Sequence, residues 1–220
     1  MIKLIRWLLI LVALLVLLGV IVFISKDAIT RKFLEETISA RTGMETRIGK
    51  VTVGIANHGV TVENLKMFNK AEFGGLPFLD LPEVHVEYDV PAFEAHRIHL
   101  KLVRLTLAEM TVVLTPQGQM NVAGLEKKAL DQLSQSRTNL DGYTFTGIDT
   151  LNITLGKAHV TLLGTTNAPQ DYDFGIHNQI FTNLVTEDDF NAVGLTLMLR
   201  SGPLGQLLSN PKLLLKSLAR

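Results

Sequence analysis

The chain lacks cysteine, carries no net charge and has few aromatic residues, and each shortage removes a class of function. Without cysteine there are no disulfides and no thiolate metal sites. The 21 basic and 21 acidic side chains cancel. A nucleic-acid binder needs a basic excess to neutralise phosphates, so nucleic acid is excluded as a partner. No glycine-rich loop precedes a helix, no nucleophile elbow is present, and no glycosidase-like carboxylate pair can be picked out. The expectation is a protein without a cofactor that is not an enzyme.

Titratable residues support the same expectation. The six histidines are His58, His85, His96, His99, His159 and His177. His96 and His99 are the only close pair, and no carboxylate stands beside them at zinc-protease spacing. Glu83, His85 and Glu87 share one strand face, where a metal site is weighed against an ordinary solvated face and the latter preferred. Asp188 and Asp189, after Thr186 and Glu187, read as a turn cluster rather than a calcium loop. Gly142, Gly147, Gly156, Gly164 and Gly175 read as bends and bulges in or near strands.

What the chain does have is apolar pattern. Its mean hydropathy is +0.27, and Trp7 to Ile24 is an uninterrupted apolar run of 18 residues. As a helix that run is about 27 Å long, close to the hydrocarbon thickness of a bilayer. It exceeds the apolar region of a cleaved signal peptide and ends without a small-residue cleavage site, so an uncleaved anchor is expected over residues 1–25. Basic residues flank both ends, Lys3 and Arg6 against Lys26, Arg31 and Lys32, so charge does not set the orientation. The short stub before the run favours translocation of the domain that follows.

Residues 26–43 are expected to form an amphipathic helix. Ile29, Phe33, Leu34 and Ile38 follow a helical period, and Gly43 supplies a left-handed terminator. From Met44 the period changes to two. Roughly nine strand-like segments follow, with a helix at residues 125–135 between them and an amphipathic helical tail over 201–220. Lys212, Lys216 and Arg220 recur along that tail, which either caps the sheet or lies on a membrane surface, capping being the favoured role. Apolar parity marks Val60, Val62, Val84, Val86, Tyr88, Ile98, Leu100, Leu102, Leu151, Ile153, Leu155, Val160, Leu162, Leu195, Leu197 and Leu199 as one face. Either a two-sheet sandwich or one curved sheet lining a groove satisfies that pattern.

Three stretches in sequence carry a family resemblance. Residues 41–51, Arg-Thr-Gly-Met-Glu-Thr-Arg-Ile-Gly-Lys-Val, follow directly on the anchor and its helix. A strand at 60–67, a glycine- and proline-bearing excursion at 73–79 and a strand of alternating charge at 83–89 come next. A basic-apolar strand at 97–107 precedes one at 110–122 whose turn holds Gly118 and Asn121. In this order they resemble the AsmA-like family of envelope proteins over about residues 1–125, and more loosely over 147–199.

That resemblance implies a mainly β fold with an N-terminal transmembrane helix. Its domain over residues 44–200 would be a strongly curved antiparallel sheet, a half-tube groove. The implied location is the bacterial inner membrane, single-pass, with the C-terminal domain in the periplasm. The implied partner is a phospholipid or another acyl-chain lipid held in the groove, in the service of lipid transport or outer-membrane biogenesis. Nine strands about 4.8 Å apart give a groove of only about 40 Å, too short for a complete bridge between membranes. A structural module of an envelope complex, joined to other proteins by edge-strand pairing, is the alternative.

Overall fold

The structure, a computed structural model, describes residues 27–54, 58–122, 142–165 and 168–202. The expected anchor, the helix at 125–135 and the tail beyond Gly202 lie outside the described residues. Among the described residues no helix is long and apolar enough to cross a membrane.

A helix α1 (Asp27–Thr42) leads into one six-stranded sheet whose spatial order follows the sequence. The strands are β1 (Thr46–Gly54), β2 (Gly59–Phe68), β3 (Pro77–Tyr88), β4 (Arg97–Leu114), β5 (Thr144–Leu162) and β6 (Gln170–Leu184). A short helix α2 (Val90–Glu94) sits between β3 and β4, and α3 (Glu187–Arg200) follows β6. The sheet is mixed rather than antiparallel. Strands β4 and β5 run parallel from Arg97↔Thr144 to Leu114↔Leu162, and every other pair is antiparallel. A parallel pair needs a long crossover, which residues 115–143 supply. Alternation of side chains is identical in both directions, so the sequence pattern carries no trace of this.

The sheet is neither closed nor strongly curled, which corrects the half-tube expectation. Its two edges are kept apart for local reasons. Along β1, the Ser39 hydroxyl accepts from the Thr46 amide (3.1 Å) and the Glu35 carboxylate from the Ile48 amide (2.7 Å), so α1 occupies that edge. Along β6, register shifts against β5 and left-handed residues at Gly175, Asn178 and Asn183 break the line of the other edge. Both are devices that blunt edge pairing.

Six long strands replace the nine expected because the apolar series steps by three at several points. Val62 is followed by Leu65, Leu81 by Val84, Leu100 by Val103, Leu107 by Met110, and Leu155 by Ala158, all buried on the same core. Two outward residues in succession look like a strand end in sequence. In space they are places where the strand is locally irregular and continues. Asn64, left-handed at φ 54°, makes one such step, and Gly49 on β1 lies against it, a Cβ there falling 2.9 Å from the Asn64 Cβ.

Leu195, Leu197 and Leu199, expected on a strand, lie on α3. Thr186 and Asp189 form a capping box that starts this helix, and Phe190, Val193 and Leu197 make a helical stripe toward the sheet. On α1, Leu34 and Ile38 are buried as expected, whereas Phe33 points outward at 44% exposure. Helix α1 packs on β1 and α3 on β6, and their buried residues join one cluster with the strands.

The opposite face is wet and charged. A row of register partners crosses all six strands: Arg47, Lys66, Asp80, Glu109, Lys157 and Asp173. Elsewhere on this face Lys50 pairs with Glu63 (3.2 Å) and Arg104 with Glu83 (3.1 Å). Such exposed pairs contribute at most about 1 kcal/mol each. They favour register more than they add stability.

Candidate functional site

The apolar face of the sheet is the largest feature with a functional reading. Of the residues expected there, Val60, Val62, Val84, Val86, Ile98, Leu100, Leu151, Ile153, Leu155, Val160 and Leu197 are buried in one cluster. Tyr88 and Leu162 are half-buried and packed against it. Leu102 is outside the cluster: it falls beside the extra residue Lys101 in the β3–β4 register, between Leu100 and Val103. Leu195 (50% exposed) and Leu199 (73%) face away from the sheet on α3. The face also includes Leu65, Met67, Leu79, Leu81, Val103, Leu105 and Leu107, which strict alternation missed. The three-residue spacing at each step was the signal that would have found them.

One buried polar cluster borders this face. Asn121 accepts from the Val113 amide (3.0 Å) and donates to the Thr111 carbonyl (2.8 Å) and to the Asn69 side-chain oxygen (2.7 Å). It thereby staples the excursion between β2 and β3 to the end of β4. The Asn69 side-chain nitrogen is buried without a hydrogen-bond partner. Gly118 and Asn121, singled out in the sequence, therefore have a packing role: Gly118 turns the chain at φ 81° and Asn121 ties it back.

The charged candidates on the wet face are held in pairs. His85 contacts Thr61 through Nδ1 (2.8 Å) and Glu87 through Nε2 (3.1 Å). His99 meets Asp149 (2.8 Å), and His159 meets Asp171 (2.6 Å) with Glu109 near. Among the described residues no group of three or more His, Asp or Glu is arranged to hold a metal ion. Asp189 accepts from the Val185 and Thr186 amides and the Thr186 hydroxyl, the work of a helix cap. Those hydrogen bonds, from Thr186 foremost, hold its carboxyl below the usual carboxylate value. Asp89 caps α2 in the same way through the Ala92 amide (2.7 Å), and that bond and Lys101 lower its pKa.

At the end of the sheet that holds the start of β2 and β4, rings stand in a row. His58 meets Tyr88 edge-on, Tyr88 meets Phe93, Phe93 stacks on Tyr143 (4.8 Å between centroids), and Tyr143 faces His96. Phe145 and Phe190 extend the row toward β6. Burial raises the Tyr88 phenol above its ordinary pKa. Sequence reading placed none of these in a site except Tyr88, because they come from four turns and strand ends far apart in the chain.

No family model, curated protein or solved structure matches the chain.

Proposed function

We propose that the chain is a non-enzymatic, membrane-anchored envelope protein of the AsmA-like kind, whose apolar sheet face shelters lipid acyl chains. The observation that carries this reading is the continuity of that face across the sheet, from Ile48 on β1 to Ile176 on β6. Helices α1 and α3 bring Leu34, Ile38, Val193 and Leu197 to it. The face is dry, so an acyl chain enters by exchanging its methylenes for protein side chains such as Val193 and Leu197. Each displaced CH₂ that reaches water costs about 0.8 kcal/mol, so entry of a chain requires that the displaced side chains find apolar cover of their own. The anchor of this reading is the apolar run at residues 7–24.

Photo-leucine incorporated into the full chain tests the reading, since the analogue differs little in shape from leucine and leaves the packing nearly intact. Irradiation in membranes should yield lipid adducts on the peptides that hold Leu79, Leu105 and Leu151. Adducts confined to other peptides of the same chain would overturn it.

A second reading, a protein-docking module, is favoured by one feature. Ile180 (55% exposed), Leu195 and Leu199 leave apolar surface on β6 and α3. In that case the photo-adducts join Leu195 or Leu199 to another protein.

A further inference from the structure

Helix α3 carries two stripes, and the sheet uses only one of them. Phe190, Val193 and Leu197 turn inward, Val193 being 1% and Leu197 0% exposed. Asp188, Ala192, Leu195 and Leu199 are all exposed, Leu195 by 50% and Leu199 by 73%. With 3.6 residues per turn, this second stripe lies on the opposite side of the helix from the first. Its spacing of four, three and four residues is that of a coiled-coil seam. Neither leucine belongs to the apolar cluster of the sheet.

Charge along the helix states what can lie against it. Glu187, Asp188 and Asp189 stand in its first turn and Arg200 in its last. A helix that rests on a lipid surface carries lysine and arginine along its polar face. The single basic residue of α3 does not meet that requirement. A second copy of the same helix, laid antiparallel, meets each end with the opposite sign. When Ala192 is level with Leu195 of the second copy, Arg200 stands beside the acidic first turn that holds Asp188 of that copy. Small then faces large along the seam. A parallel pair would instead set the two acidic turns side by side. The sheet edges offer no competing route, since α1 occupies the edge of β1 and left-handed residues break that of β6.

We propose that α3 pairs antiparallel with α3 of a second copy of this chain, about a two-fold axis between the levels of Ala192 and Leu195. The contact is isologous, so it closes at two copies. The proposal names the partner for the docking reading given above and is independent of the lipid reading. The 14-residue helix is about 21 Å long. A seam of that length buries less than the roughly 1,200 Å² of a standard interface, so the dimer is weak and reversible.

The chain has no cysteine, so an introduced thiol reports its own position. In the antiparallel pair the two copies of residue 192 are about 4.5 Å out of level. Residues 188 and 200 are each about 15 Å or more out of level with their own equivalents, and nearly level with each other. A short bismaleimide added to the full chain in mild detergent should link Ala192→Cys into dimers, in a yield that rises with protein concentration. Asp188→Cys and Arg200→Cys should link to each other when the two chains are mixed, and hardly to themselves. Adding Leu195→Ser and Leu199→Ser, both at exposed positions, should cut the Ala192→Cys yield about tenfold and leave the thermal melt unchanged. Self-linking at 188 and 200, no dimer from Ala192→Cys at any concentration, or a yield that the serines leave unaltered would overturn the pair. Repeated in unfractionated membranes, a link from residue 192 to a different protein overturns the pair and leaves the docking reading standing. No link to any protein overturns both.

Discussion

Gly156 lies against the Ala108 carbonyl oxygen across the β4–β5 seam, with no space for a Cβ. Backbone cannot give way as a flexible side chain does, so Gly156→Ala should cost about 3 kcal/mol in a denaturant melt. Gly75 is the control. It sits at φ 64° with nothing within 4 Å, and Gly75→Ala should cost only the left-handed strain, about 1 kcal/mol. Asn121 gives a second test at this scale. Asn121→Ala removes three hydrogen bonds and leaves the Asn69 amide without its partner, for an expected loss of about 2–3 kcal/mol. Because Asn69 already has an unpaired nitrogen, Asn69→Ala should cost less, and the double variant should cost less than the sum of the two.

Elements were legible in the sequence where one rule governed them. Helix α1 and the alternation of Val84, Val86 and Tyr88 against Glu83, His85 and Glu87 needed only a period, and both are present. The rule failed where two signals competed. Residues 195–199 alternate like a strand, yet the capping box at Thr186 and the stripe of Phe190, Val193 and Leu197 start and carry a helix. The rule also failed where a strand takes a three-residue step. Val62 to Leu65 reads as a strand end, yet both lie on β2, because Asn64 turns left-handed at φ 54° while the pairing with β1 and β3 stays one-to-one. Strand direction, and hence the mixed sheet, leaves no mark on side-chain order. Two predictions belong here. Removing the caps on β1 with Glu35→Ala and Ser39→Ala should speed hydrogen exchange at Ile48 and Thr46 and give concentration-dependent self-association in sedimentation. Asp189 has a depressed pKa in the fold, so its stabilisation is complete above about pH 4. It is lost as pH falls through the lower folded value. The amides of Thr186 to Phe190 should therefore lose protection only below about pH 4, and Asp189→Ala should lower that protection above about pH 4 and abolish the acid step.

At the scale of the molecule, the β4–β5 pairing unites a four-stranded meander with the β5–β6 hairpin, and one apolar cluster draws on all six strands. Urea should therefore unfold the described domain in a single transition, with circular dichroism and hydrogen exchange giving the same midpoint. Two midpoints would mean that the meander and the hairpin are separate folding units. The transverse row Arg47, Lys66, Asp80, Glu109, Lys157 and Asp173 has a further consequence. Three positive and three negative charges in one band leave no monopole, and beyond a Debye length of about 8 Å their field is gone. That row then steers no charged surface from a distance. In the anchored protein proposed above, orientation at the bilayer would be left to short-range contact, and the tether would hold even a weak contact at an effective concentration in the millimolar range.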